Sequence, residues 1–521
     1  MRRTLVVLGF LVCLVVLSAC NLPLTAAPSS APPSQSADAE APLIPTQGGA
    51  APQTDGSPDT WVDPSQCNRF TAPDGSDENA GTADAPWATF AHAVASALPG
   101  DTVCFRAGTY AVPAEVSMEA GGLPEGGAIT LAAYPGEQVI LDGQGTASSI
   151  LILKQGVSHV YVAGFTLTRF TIWGISLEGG NHHVILSHLD IGGGEAGVHF
   201  TVGESGGDPM FGPVENVIFE DSRVHDSIFT AVDCTPGPCN QMIFVRLEIT
   251  GAGMQGQEAS FGSDGLAVER GQFIEVTECV IHDNGGDGID LNSRDWDGNV
   301  ESILVQRNRV YRNHLQGIKL WAGGRMENNI VWGHGINPLM IGAYPGVYEV
   351  VNNTIAYNMW DASFAARDYA ATFAYPGDST NGVSAPITLT LINNLFAFNT
   401  GPNVGEPTGI YLGAGVTLAR EGGNLFFSRE DGEIEAEFVT GRDPWFSRQE
   451  IADGTWGQFS GSLGDLADDP LFVSGWLEAD LHLMPGSPAI DAGIAEGAPA
   501  FDLDGNPRGG RPDIGAYEWN G

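Results

Sequence analysis

From about Ile129 to Phe427 the apolar residues fall in short runs, each an apolar–x–apolar triplet entered through a turn. The triplets align one under another: Ile175-Ser176-Leu177, Val198-His199-Phe200, Val232-Asp233-Cys234, Leu266-Ala267-Val268, Ile289-Asp290-Leu291, Ile318-Lys319-Leu320 and Leu339-Met340-Ile341. Alternation puts the apolar pair on one face of a strand and the middle residue on the other. The spacing is irregular, from 21 to 34 residues between successive triplets. An asparagine also recurs ahead of an apolar pair, at Asn308, Asn329, Asn353, Asn394 and Asn424, with intervals of 21, 24, 41 and 30 residues. Stacked asparagines can hydrogen-bond their neighbours along an axis. Repeats of this length without a helical period predict an all-β protein, a parallel β-helix with loops inserted between turns. Right-handed crossovers are the rule for parallel strands. A β-propeller would recur more regularly, with four strands in each blade of about 40 residues.

The flanks differ. Residues 1–19 read as an export signal: Arg2 and Arg3, an apolar stretch from Thr4 to Val16, then Leu17-Ser18-Ala19-Cys20. That tetrad resembles a bacterial lipobox, which implies cleavage before Cys20, lipidation of its thiol and an exported lipoprotein on the outer face of a membrane. Residues 20–58, rich in Pro, Ala and Ser, read as a flexible tether. Residues 59–128 should hold an N-terminal cap and the first strands, with an amphipathic helix from Thr89 to Leu98 burying Phe90, Val94 and Ala97 or Leu98. Residues 129–427 are the β-helix and 428–521 the last turns and a C-terminal cap. The final stretch, Asp502-Leu503-Asp504-Gly505-Asn506 to Asp513-Ile514-Gly515-Ala516-Tyr517-Glu518, resembles the C-terminal segment of many secreted bacterial β-helix proteins. Asp502 and Asp504 read as a turn with solvated acids, with Ca²⁺ binding as the alternative.

Composition narrows the partners. A net charge of −41, which becomes more negative once Arg2 and Arg3 are removed, excludes a nucleic-acid binder. It would also repel an acidic polysaccharide unless cations mediate. The 70 glycines and the low charged fraction of 16% suit a turn-rich β protein, expected to be a monomer. Of seven cysteines, Cys67 with Cys104 and Cys234 with Cys239 are plausible disulfides outside the cell, and Cys279 reads as a buried apolar residue.

Candidate chemistry lies between Ser263 and Gly324. Turn residues Asp264, Asp287 and Gln316 form one column; Asp233, Ala267, Asp290 and Lys319 form another. Aspartate before glycine is ordinary turn chemistry, but the middle of a strand is a poor place for Asp290. With adjacent strands about 4.8 Å apart, Asp264, Asp287 and Asp290 could converge on one ion, helped by Asp233. An all-oxygen set favours Ca²⁺. Only Lys154 and Lys319 are lysines among 22 basic residues. Lysine, unlike arginine, can be made neutral and act as a base, so Lys319 is the candidate base. The alternative is a surface lysine paired with its neighbouring aspartate.

Gly-Asp-Gly-Ile-Asp-Leu (286–291), followed by Gly-Ile-Lys-Leu (317–320), resembles the Ca²⁺-dependent pectate lyases of polysaccharide lyase family 9. The resemblance implies a right-handed parallel β-helix, Asp264, Asp287 and Asp290 as calcium ligands, and Lys319 as base. It also implies β-elimination on a uronate of an acidic polysaccharide. Gly286 departs from the family's acidic pair, which removes one ligand. Under this reading Trp321 would stack on a sugar ring, and Arg294, Arg312 and His314 would flank the groove and hold substrate carboxylates. Two alternatives remain. One is a non-catalytic surface protein that binds glycan. The other is a glycoside hydrolase or epimerase on the same fold, for which Gly333-His334-Gly335 is the one suggestive motif.

Overall fold

The computed structural model describes residues 61–125, 127–201, 212–235, 237–254, 262–291, 302–342, 344–358, 370–375, 387–399, 408–413, 415–427, 434–438, 445–462, 464–475 and 480–521. The export signal, Cys20, the tether and Arg294 lie outside these residues. No helix among the described residues is long and apolar enough to cross a membrane.

Among the described residues the chain winds through three long sheets of 13, 13 and 12 strands. Apart from the end strands Arg69–Thr71 and Trp445–Ser447, each sheet takes every third strand of the sequence. One coil shows the path. It passes Ile289–Leu291 in the second sheet, Ile303–Gln306 in the first and Arg309–Tyr311 in the third, then returns to the second at Ile318–Leu320. The pairing is parallel throughout except for Trp445–Ser447 against Ile434–Phe438. This is a parallel β-helix, and it starts before the clear repeats, with Thr102–Phe105, Gly108–Ala111 and Val116–Met118 already in the three sheets.

The triplets hold the predicted register. Leu266, Ile289, Ile318 and Leu339 pair in one row, and Val268, Leu291, Leu320 and Ile341 in another; all are buried. Each such side chain contributes about 1.5–3 kcal/mol of burial. The middle residues, including Asp290 and Lys319, face outward.

Asparagine ladders stitch the coils. Asn308 donates both its backbone N–H and its Nδ2 to Asn329 Oδ1, each at 3.0 Å. Asn329 does the same to Asn353, Asn353 to Asn394, and Asn394 to Asn424. The residue before the rung turns the chain with positive φ, 53° at Asn328, 52° at Asn352 and 56° at Asn393, a conformation asparagine tolerates. A second column, not evident from the sequence, links Asn284 to Asn313 and, further on, His334 to Asn358 and Asn358 to Asn399.

Short helices pack at the two ends. Helix Phe90–Ser96, capped by Thr89 Oγ1 accepting from the His92 N–H, covers the N-terminal end and packs Phe90 on Phe105 and Phe165. Leu98 is 61% exposed, because the helix stops two residues earlier and Asp101 caps the Leu98 N–H. At the far end, the short helices Arg448–Ala452 and Thr455–Ser460 bury Ile451 and Trp456 against the core. The C-terminal segment caps neither end. It packs sideways on the outer face of the third sheet, where Leu503, Ile514 and Ala516 cover Ile330, Leu395 and Leu425. Asn352 and Asn393, on that flank, donate to its carbonyls at Asp513 and Ile494. Asp502 accepts from the Asp504, Asn506 and Glu518 N–H groups, and Asp504 pairs with Arg309 and His482, so these acids serve a turn. Cys67–Cys104 and Cys234–Cys239 are disulfides, and Cys279 is free and buried.

Candidate functional site

A groove of about 570 Å³ runs along the outward face of the second sheet. Its floor is the column His199, Asp233, Ala267, Asp290, Lys319, each residue in register with the next. Beside it runs the turn column. Asp264 donates its N–H to Thr230 Oγ1; Asp264 Oδ1 accepts from the Asp287 N–H at 2.7 Å, and Asp287 Oδ1 from the Gln316 N–H at 2.8 Å. Asp264 and Asp287 therefore each use one oxygen to tie the next coil and leave the other out of that tie.

The remaining oxygens meet Lys319. Its ammonium pairs with Asp287 Oδ2 and lies 3.2 Å from Asp290 Oδ2, with side-chain exposures of 12, 2 and 16% for Lys319, Asp287 and Asp290. Asp264, Asp287 and Asp290 each place a carboxylate oxygen within 4.8 Å of the others. Burial, reinforced by Asp287 and Asp290, pushes the Asp264 carboxyl up to about 8. Burial also raises Asp290 to about 6, with Lys319 opposing and Asp287 adding. Burial alone would favour a neutral Lys319, but Asp287 and Asp290 outweigh it and hold the ammonium above its ordinary value. Asp290 Oδ1 and Gln316 Oε1 are buried without a hydrogen-bond partner. Three acids against one lysine, with orphaned oxygens alongside, is a donor set suited to a hard cation.

Gly286 has a packing reason. A Cβ there would collide with Asp264 Oδ1 and the Ser263 carbonyl carbon, so its bareness lets the Asp264 carboxylate reach the Asp287 N–H.

The other predicted residues are dispersed. Asp233 stands two strands from Asp290, with Ala267 between, and its carboxylate meets His199 Nδ1 at 3.2 Å and Thr235 Oγ1 at 2.6 Å. Trp321 has its ring centroid 5.4 Å from Lys319 Nζ. Arg312 lies at the end of a third-sheet strand, forked on Asp283 and stacked over Tyr311, away from the groove floor. His314 follows a ladder asparagine and donates its N–H to the Asn284 carbonyl. His334 is fully buried as a rung of the second column, its pKa pushed down to about 4 by burial, so the Gly-His-Gly motif is structural. Sequence reasoning missed Trp173, which stacks on His199 at 4.7 Å in the same groove. The visible hint was a tryptophan two residues ahead of the repeat triplet Ile175-Ser176-Leu177.

Residues 69–219 match the family model described as Pel9A-like, right handed beta helix region, and residues 173–355 match the right handed beta helix region model. The protein YwoF of Bacillus subtilis (strain 168) is 23% identical over 351 residues, 56% of this chain and 74% of that protein. Pectate lyase PEL9 of Emericella nidulans is 40% identical over 75 residues, only 14% of this chain and 18% of the lyase. Among solved structures, pectate lyase Pel9A is 16% identical with a TM-score of 0.41, covering 87% of this chain and 96% of that one. The A-module of the mannuronan C-5 epimerase AlgE6 of Azotobacter vinelandii is 15% identical with a TM-score of 0.39, covering 65% and 82%. With three parallel sheets and two matching right-handed β-helix regions, the chain is a right-handed parallel β-helix protein that resembles the Pel9A-like pectate lyases.

Proposed function

We propose that the groove binds a uronate-containing, pectate-like polysaccharide and cleaves it by calcium-dependent β-elimination with Lys319 as base. The observation that carries this reading is the single buried lysine held on Asp287 and Asp290, within a cluster of three carboxylates on the floor of an open groove. Asp264, Asp287 and Asp290 would hold the ion, since each keeps an oxygen not used in tying coils. Calcium, when bound, would supply counter-charge to these acids and to the substrate carboxylate and make the C5 proton more acidic. Lys319, relieved of its two ion pairs but still buried, would then favour the neutral amine. Its Nζ takes the proton from C5, the C5–H electron pair becomes the C4=C5 double bond, and the C4–O bond breaks. The leaving oxygen gains a proton from solvent, so no water is added and nothing is oxidised. Trp321 and the outer part of the groove would position the sugar rings.

Polygalacturonate, alginate and glycosaminoglycans, incubated with calcium or with chelator, test the reading. Unsaturated-uronate absorbance on at least one of them, lost in chelator, is expected. Calorimetry should show calcium binding that Asp290→Ala abolishes, and binding left intact in that variant would move the ion elsewhere. Outer-face anchoring through Cys20 predicts fatty-acid labelling that Cys20→Ala removes.

A second reading, a glycan-binding surface without catalysis, draws on the protonated state of Lys319. Its aspartates hold the ammonium charged in the metal-free site. Binding without unsaturated product on every polymer would select it. A hydrolase finds less support, because His334 is buried in a ladder.

A further inference from the structure

Three histidines meet at the start of two first-sheet strands, on a different sheet from the groove. His182 and His183 open the strand His182–Ser187, and His159 stands one coil earlier in the strand Ser158–Ala163. Strand alternation would send neighbouring side chains to opposite faces. A left-handed residue in each coil, φ 56° at His159 and 54° at His183, breaks that alternation and lets adjacent side chains meet. The His159 and His183 rings stack at 4.7 Å, 7° from parallel, at the spacing of adjacent coils. His182 stands edge-on to them, at 5.6 and 5.0 Å. Its Nδ1 lies 2.7 Å from His183 Nδ1. All three residues are half-buried.

Two imidazole nitrogens in such a contact share one proton at most, so at least one points a lone pair into it. A hydrogen bond is one use of that geometry, and ligation of a common metal ion is the other. Zinc–nitrogen bonds of about 2.0–2.1 Å set two ligating nitrogens on the order of 3 Å apart, so a small ring rotation admits the ion. The next coil offers oxygen. Glu215 follows His182 in register. Asn216, behind His183 in the column of left-handed residues, has its Oδ1 buried without a hydrogen-bond partner. Imidazole suits zinc, copper and nickel, whereas the all-oxygen cluster beside Lys319 suits a hard cation. The net charge of −41 raises the local concentration of any divalent ion.

We propose that His182 and His183 form a second metal site, for a zinc-class divalent ion, with His159 and Glu215 as flanking donors and water completing the shell. The site is independent of the lyase reading. Its donors come from three successive coils, so the ion stabilises the first sheet by binding the folded chain.

Calorimetry of the full-length protein with zinc chloride, in an excess of calcium, should show one zinc ion bound per chain. His182→Gln keeps a hydrogen-bonding side chain, and His183→Asn keeps a residue that tolerates the left-handed backbone. Each should weaken zinc binding about tenfold or more. Asp290→Ala, in the acid cluster, and His225→Ala, on the third sheet, should leave it unchanged. Copper(II) electron paramagnetic resonance reads the ligands of the unsubstituted protein, whatever the variants do to folding. Coupling to two or more imidazole nitrogens is expected, and an oxygen-only spectrum overturns the site. No zinc bound, binding unchanged in both His182→Gln and His183→Asn, or binding lost only in Asp290→Ala overturns it as well.

Discussion

Two columns of turn residues run along this β-helix and solve one structural problem with different chemistry. In the asparagine ladder, the Asn353 amide oxygen accepts from the Asn329 N–H and Nδ2, while its own Nδ2 donates to Met326, Val351 and Asn394. Every polar atom has a partner, and the seam is neutral and fully buried. In the aspartate column, Asp264 and Asp287 also cap a backbone N–H one coil away, in the opposite axial direction. A carboxyl group lacks the amide's N–H donors, so each keeps an oxygen, and Asp287 a charge, that the coil cannot satisfy. Lys319 answers part of that charge, and Asp290 Oδ1 is left with no donor. Satisfied rungs make scaffold; carboxyl groups in the turn column leave oxygens at the groove.

The sharpest way to break that contrast is at Lys319. Lys319→Arg keeps a cation beside Asp287 and Asp290, yet arginine cannot accept a proton near neutral pH. Loss of a general base costs on the order of 10²–10⁴ in rate. Steady-state kinetics should therefore show elimination falling by that factor while substrate binding and thermal stability change little. Activity within a few-fold of the parent would sink Lys319 as base and leave it a charge partner.

Asn353 tests the other column. Asn353→Ala would strand the buried Asn329 N–H and Nδ2 together with the carbonyls that Asn353 now meets. Each stranded group costs about 1–3 kcal/mol, so a loss of about 2–4 kcal/mol is expected in denaturant unfolding after partial relaxation. Asn353→Asp should cost at least as much, because it keeps the cap but places a carboxylate where no lysine waits. If the aspartate were tolerated as well as asparagine, the distinction between scaffold and site would fail.

Much of this was legible in the sequence, and what was not has identifiable causes. Glycine turns followed by apolar–x–apolar triplets fixed the register of Ile289, Asp290 and Leu291, since alternation allows only one inward pair. The first asparagine ladder was visible because asparagine itself recurs. The second hid behind His334, which fills a rung with a different residue type. The lateral seat of the C-terminal segment was readable in principle. Leu395-Phe396-Ala397 is apolar at all three positions, which requires a cover on both faces of that strand, and all three are buried. The pairing of Asp233 with His199 was not readable as function, because Ala267 separates it from the acid cluster by a further strand.

The last expected effect is a pH dependence centred on the acid cluster. Asp264, raised to about 8, and Asp290, raised to about 6, bind protons in the folded, metal-free protein that they would release when unfolded, near their ordinary value of 3.8. Between pH 4 and 8 these two groups therefore hold more protons in the folded state than in the unfolded one and make stability fall as pH rises. His334, lowered to about 4 by burial, contributes the opposite slope up to its ordinary 6.5. One proton contributes a slope of at most about 1.4 kcal/mol per pH unit. Lys319, also raised, stays protonated in both states below its ordinary 10.5 and adds no slope there. Denaturant unfolding in chelator should show this decline, and Asp264→Asn should flatten its upper part from pH 6 to 8. Calcium should bind more tightly across the same interval, because Asp264 must give up its proton to serve as a ligand. Calorimetry in buffers of different ionisation enthalpy would read that proton directly at pH 7, and its absence would mean that the folded Asp264 is already charged.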